Sequence, residues 1–163
     1  MGTFNAKILA EFQPPRKWKL GRDLTYSTKD LMGDEIKALQ DIGVKVNRDT
    51  DISPVDITVP TEFMTDLAST PRALWAFIAP FDAARAAIVH DLLYKTIRQY
   101  RWNKGDIEED KTLIKKAKVV ADKVFLLAMK DAQPKVSGWK IYSAWKAVDL
   151  FGRWSIIPNE RNI

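Results

Sequence analysis

The stretch Asp82-Ala83-Ala84-Arg85-Ala86-Ala87-Ile88-Val89-His90-Asp91-Leu92-Leu93-Tyr94-Lys95-Thr96-Ile97-Arg98-Gln99 decides the fold class, because the hydrophobic period of the chain changes there. Ala83, Ala87, Tyr94 and Ile97 are separated by four, seven and three residues, the recurrence of one face of a helix. Asp82 follows Pro80 and is a residue type that caps helix N-termini, so a helix is expected from Asp82 to about Gln99. The same period continues downstream. Leu113, Ala117, Val120, Val124 and Leu127 stripe a second helix over about Ile107–Lys130, and its acidic start (Glu108, Glu109, Asp110) suits the helix dipole. A third helix starts near Ser137, carries Ile141, Trp145 and Val148, and is expected to stop at Gly152.

Upstream the pattern is different. Pro14, Pro15, Gly21, Gly33, Gly43, Pro54 and Pro60 break the chain between Phe4 and Phe63. The β-like runs between these breakers are Lys7–Phe12, Trp18–Leu20, Val44–Asn47 and Val55–Val59. The last two flank the polar segment Arg48–Pro54 and read as a hairpin. Asp34–Asp41 reads as a short helix or turn. The fold class is therefore α+β. A β-rich part (4–63) with one or more hairpins packs on a three-helix region (67–152), followed by a short tail (153–163). At 163 residues the expectation is one domain.

Composition removes several chemistries. The chain has no cysteine, which excludes disulfides, a thiol nucleophile and thiolate metal sites. His90 is the sole histidine, so a zinc site built on several histidines cannot form within one chain. There is no Gly-rich phosphate loop and no Gly-x-Ser-x-Gly elbow to activate Ser69. Met1–Gln13 lacks the pattern of a signal peptide, and no window is apolar enough to span a bilayer. The expected address is a reducing cytosol, or a particle assembled there. Lys and Arg total 26 against 21 Asp and Glu, a net charge of +5 that permits an anionic partner without demanding one. Basic runs such as Arg98–Lys104 and Lys115–Lys118 read as solvated helix faces, so nucleic acid is not the expected partner. The six scattered tryptophans (Trp18, Trp75, Trp102, Trp139, Trp145, Trp154) read as core and interface anchors.

Two residues stand out chemically. His90 shares the apolar helix face of Ala83, Ala87, Tyr94 and Ile97 and so points inward, while Asp91 is turned about 100° away. Asp122, 32 residues on, has Val119, Phe125, Leu126 and Met129 as helical neighbours, and a carboxylate on such a stripe needs a partner. If the two helices are antiparallel neighbours, that partner is His90, and a carboxylate fixing one ring nitrogen leaves the other as a base. The alternatives are a core histidine with one hydrogen bond, and a surface salt bridge from Asp122 to Lys118 or Lys123. A third dense segment, Val59–Arg72, holds Thr65, Asp66 and Ser69 between Pro60 and Pro71, with Arg72 directly after; Thr65, Ser69 and Arg72 read as a substrate contact or a structural turn. There Asp66 either faces the His90 pocket as a metal ligand or caps a short helix starting at Leu67.

The pattern His90-Asp91-x-x-Tyr94, with Ala121-Asp122-x-x-Phe125 on the next helix, resembles the active-site helices of phospholipase A2. It is most similar to the disulfide-free version in parvovirus capsid proteins, over roughly residues 84–127. The resemblance implies that His90 activates water, Asp122 orients His90, Tyr94 supports the pair and Asp91 binds calcium, with Asp66 completing the cation site. The Tyr-x-Gly-x-Gly calcium loop of those enzymes has no counterpart, since residues 64–89 contain no glycine. The longer motifs are similar to a family of small tailed-phage and prophage proteins described as a domain of unknown function. They are Val59-Pro60-x-x-Phe63-x-Thr65-Asp66-x-Ala68-Ser69-x-Pro71-Arg72, Ala86-Ala87-x-x-His90-Asp91-x-Leu93-Tyr94, Ala121-Asp122-x-x-Phe125 and Val148-Asp149-Leu150-Phe151-Gly152. Glu62 stands where that family usually has glycine. The resemblances imply a phage protein, in the host cytoplasm during infection or in the virion, whose partners are phage structural proteins or an anionic membrane surface. They imply either a cation-dependent ester hydrolase or a structural protein in which the His/Asp/Tyr cluster holds helices together.

Overall fold

Eleven elements follow one another in the computed structural model, which describes residues 1–15, 17–65, 83–104, 110–133 and 135–163. They are β1 (Thr3–Phe4), β2 (Ala10–Gln13), β3 (Lys17–Leu20), β4 (Leu24–Thr28), α1 (Gly33–Asp41), β5 (Val46–Asn47), β6 (Val55–Val59), β7 (Met64–Thr65), α2 (Ala84–Lys104), α3 (Lys111–Lys130) and α4 (Gly138–Ser155). The α+β expectation holds. One sheet has the order β1-β4-β6-β5 and the other β2-β3-β7, and all pairings are antiparallel.

The predicted hairpin is β5–β6, with Val46 opposite Ile57 and Asn47 opposite Asp56. Its partner on the other side, β4, was not expected, although Leu24-Thr25-Tyr26-Ser27-Thr28 alternates. Leu24, Tyr26 and Thr28 are buried on one face, opposite Val59, Ile57 and Val55 of β6. The hydroxyl-rich sequence hides a strand whose β-branched residues pair well, with the Thr25 and Thr58 hydroxyls 2.8 Å apart. β2 starts at Ala10 rather than Lys7, and β1 and β7 are two-residue pairings too short to read from a pattern. The short helix Asp34–Asp41 is α1; Glu35 Oε2 accepts from the Met32 amide at 2.8 Å at its start.

All three later helices form, with corrected ends. α2 runs past Gln99 to Lys104, because no breaker follows and Tyr100 and Arg101 are tied down. Tyr100 donates to Asp110 Oδ1 at 2.8 Å and Arg101 Nη1 to the Ile156 carbonyl at 2.8 Å. α3 starts at Lys111, not Ile107; Asp110 stands at its cap without a capping bond, and Glu108 and Glu109 lie outside the described residues, as does Asp82. α4 does not stop at Gly152 but continues to Ser155. Gly152 is an interior helix residue because a neighbouring side chain fills the space a Cβ would need.

α3 is the central helix and packs against α2, α4 and α1. The inward face of β4 and β6 closes on α1 and α2, so the buried residues of sheet and helices make one continuous cluster from Leu20 to Ile156. Polar ties reinforce it. Tyr26 on β4 donates to Asp131 at the end of α3 (2.7 Å), and Lys123 on α3 donates to both oxygens of Glu35 on α1. Of the tryptophans read as core or interface anchors, Trp102, Trp139 and Trp154 are about half exposed and so are not core residues, and Trp75 lies outside the described residues. Their helix faces look outward, because the inward faces are already filled by smaller side chains such as Ala144 and Val148.

Glu62 holds φ of 67°, in the left-handed region that favours glycine. The turn keeps a glycine-like geometry with glutamate in place, held by the Glu62 amide, which donates to Leu20 O (2.8 Å), and by its carboxylate, which meets Lys19 Nζ at 2.9 Å.

Candidate functional site

α2 and α3 lie against each other, and their contact brings His90 and Asp122 together. His90 Nε2 lies 3.1 Å from Asp122 Oδ1, and Tyr94, one turn along α2, donates its hydroxyl to the same oxygen at 2.7 Å. The His90 ring is clasped between Tyr94 and Phe125, with centroids 4.0 and 4.9 Å away. Packing and hydrogen bonding therefore fix the ring together. Asp122 is 3% exposed, so a partner was indeed required.

The salt-bridge alternative for Asp122 is also realised, in the interior instead of at the surface. Lys118 Nζ sits 2.8 Å from Asp122 Oδ2, one helical turn back on α3. Oδ2 has no aligned hydrogen-bond donor, so Lys118 compensates it by charge. The ammonium donates instead to the Asp149 carbonyl on α4 at 2.8 Å and lies 3.6 Å from Asp149 Oδ1. Lys118 thus joins α3 to α4 from beneath the His/Asp pair. Lys123 points elsewhere, to Glu35.

Burial by itself pushes the Asp122 carboxyl up. The hydrogen bond and charge of His90, with Lys118 and Tyr94, outweigh it and hold the group below the usual carboxylate range. Asp122 is therefore an anion at neutral pH. A carboxylate only accepts, so His90 Nε2 must carry the proton, and the neutral ring then has its lone pair on Nδ1. Tyr94 is raised well above an ordinary phenol, first by burial and then by the Asp122 charge, so it stays a donor.

His90 lines a pocket of about 340 Å³. Met64 and Thr65 of β7 form one wall, and Val148, Phe151 and Gly152 of α4 another. Among the described residues, Lys17, Lys95, Arg98 and Arg161 line it together with the carboxylate of Asp91. Arg98 also secures the chain after α4, donating to Asn162 O at 2.7 Å and Ser155 O at 3.2 Å. Asp91 Oδ2 accepts from the buried Thr65 hydroxyl at 2.7 Å, which joins the Val59–Arg72 motif to the histidine helix. Asp66, Ser69 and Arg72 lie outside the described residues.

Two members of the site were not expected. Lys118 was weighed only as a surface partner, since a lysine in Lys115-Lys116-Ala117-Lys118 looks solvated; its one-turn spacing before Asp122 was the available signal. Gly152 reads from the sequence as a helix stop. A Cβ there would collide with the Tyr94 hydroxyl and press on Lys118 Cε at 3.1 Å. Only glycine lets α4 approach closely enough to seat Tyr94 on Asp122.

Calcium would need six to eight oxygen ligands. Among the described residues no three His, Asp or Glu side chains gather, and Asp91 is already bonded by Thr65 among four cations. Asp66, the second expected ligand, lies outside the described residues.

A family model described as protein of unknown function (DUF1353) matches residues 41–148, more than half of the chain. The match takes in His90, Asp91, Tyr94, Lys118 and Asp122 and stops before Gly152. No curated protein and no solved structure matches the chain.

Proposed function

The chain belongs to this DUF1353 family of proteins of unknown function, and from that premise we propose that it is a bacteriophage or prophage protein whose His90–Asp122 pair is the general-base site of an ester hydrolase. The carrying observation is the 3.1 Å approach of His90 Nε2 to Asp122 Oδ1; with Asp122 accepting there, Nδ1 of a pocket-lining ring is left as the basic nitrogen. The same arrangement underlies the phospholipase A2 resemblance of His90-Asp91-x-x-Tyr94 with Asp122. In the reaction Nδ1 takes a proton from water as the oxygen attacks the ester carbonyl. The tetrahedral intermediate then collapses, the bond from the carbonyl carbon to the alkoxy oxygen breaks, and the imidazolium returns the proton to the leaving alcohol. Asp122 stabilises the imidazolium, and Tyr94 and Lys118 hold Asp122. The cations of the pocket suit an anionic ester and the negative charge that develops on it. A membrane or envelope surface is the natural source of such esters. Calcium, which the phospholipase resemblance implies at Asp91, has no step here.

The test is hydrolysis of phospholipids and short-chain esters by wild type, His90→Gln and Asp122→Asn, each with calcium and with chelator. Loss of about 100-fold or more in His90→Gln, at unchanged melting temperature, is expected. Equal activity in wild type and His90→Gln would sink the reading.

One observation favours a structural reading. Asp122 takes hydrogen bonds from His90 and Tyr94 on one oxygen and the Lys118 charge on the other, a network that spans α2, α3 and α4. In a virion or tail-associated protein that network would serve packing alone. Wild-type protein inactive on every ester, with a large stability loss in Asp122→Ala, would favour it.

A further inference from the structure

The outward face of α4 is unusual for a helix already packed on its other side. Ile141, Ala144, Val148 and Gly152 face the core. The opposite side carries Trp139, Tyr142, Lys146, Leu150, Arg153 and Trp154, recurring at three- and four-residue steps, and Ile157 continues the line. Trp139 and Tyr142 are 59% and 60% exposed, and Leu150 and Trp154 52% and 53%. Arg153 lies over the Trp154 ring at 4.0 Å, and Lys146 over that of Trp145 at 5.7 Å. Asp149 is the one acidic residue of the helix and is already paired with Lys118 and Lys146.

We propose that this face is a docking surface for an anionic lipid bilayer. Aromatic rings with a polar edge, interleaved with long cationic side chains and free of unpaired acid, match the boundary between acyl chains and anionic headgroups. The rings and Leu150 enter the boundary while Lys146, Arg153 and Lys140 reach phosphates, each such contact being favourable near a negative surface. A bilayer fits better than an acidic protein groove because the apolar groups are spread along a helix about 27 Å long, which presents a line rather than a knob. The helix lies in the membrane plane, since its inner face is committed to the core and no helix among the described residues is long and apolar enough to cross. The proposal shares a membrane with the hydrolase reading but does not need turnover.

The test is sedimentation of the full chain with vesicles of phosphatidylcholine alone or with added phosphatidylglycerol, at low and high salt, with no ester assay involved. Wild type is expected to sediment with the anionic vesicles, less so at high salt. Leu150→Ser/Trp154→Ser should weaken binding by about tenfold or more, with a wild-type melting temperature. Lys146→Glu/Arg153→Glu should lose the anionic preference. Wild type left in the supernatant with both vesicles would overturn the proposal, as would variants that bind like wild type. A concentration-dependent dimer abolished by Leu150→Ser/Trp154→Ser, without lipid binding, would make the face a self-association surface instead. Binding without hydrolysis would leave the docking face standing while the hydrolase reading fails.

Discussion

Asp122 concentrates more of this molecule's energetics than any other single side chain, because it is a charge sunk among apolar neighbours with three partners. Asp122→Ala would leave the buried Lys118 ammonium with only the more distant Asp149 carboxylate at 3.6 Å and is expected to cost about 3 kcal/mol, read as a shift in urea midpoint. The sign of its pH dependence follows from its lowered folded value. The stabilisation is fully present above the unfolded carboxyl range of about 3.9 and is lost as pH falls through the folded value. Urea midpoints between pH 6 and 3 should therefore fall more steeply for wild type than for Asp122→Asn. Glu62 is the opposite case, a residue that carries backbone strain at the surface. Glu62→Gly relieves a left-handed non-glycine conformation and is expected to raise stability by up to about 1 kcal/mol, measured in the same way.

Among elements, the approach of α4 to α2 is the contact on which the site depends. Gly152→Ala places a methyl group against the Tyr94 hydroxyl and is expected to cost on the order of 1–3 kcal/mol. In a Tyr94→Phe background the worst collision is gone, so the same substitution should cost measurably less; equal costs in the two backgrounds would show that Tyr94 does not set the helix spacing. Across the α1–α3 contact, Lys123 with Glu35 and Lys116 with Asp34 are partly exposed pairs that contribute far less than the buried Asp122 cluster.

For the whole molecule, the buried cluster is continuous across the β4–β6 face and the helices. One cooperative unfolding transition is expected by calorimetry, with agreement between tryptophan fluorescence and circular dichroism. Two separated transitions would mean that the sheets and the helices fold as independent units. Alkaline pH offers a second test on the same scale. Tyr26 and Tyr94, on the sheet and on α2, are both raised, first by burial and then by a neighbouring aspartate. Their contribution to stability is present below the unfolded tyrosine range of about 10 and is lost as pH rises through the folded values. Phenolate absorbance should therefore show both rings ionising only when the fold itself is lost.

The sequence by itself determined the fold class, the three later helices, the β5–β6 hairpin and the residues that meet at the centre. Each of these follows from local period or from the cost of an isolated buried charge. A 3.6-residue stripe names a helix without knowledge of its neighbours, and a carboxylate among Val119, Phe125 and Met129 demands a partner wherever the chain goes. Local pattern could not find β4, β1 or β7, whose pairing is set by distant strands, and it misplaced helix ends that are held by long-range bonds such as Arg101 to Ile156. Only the tertiary structure decided that Lys118 is buried rather than solvated, that Gly152 makes room for a tyrosine rather than ending a helix, and that half the tryptophans look outward. Those outcomes depend on which faces of α2, α3 and α4 close on one another, and that choice is made by packing over the whole core, which no window of sequence contains.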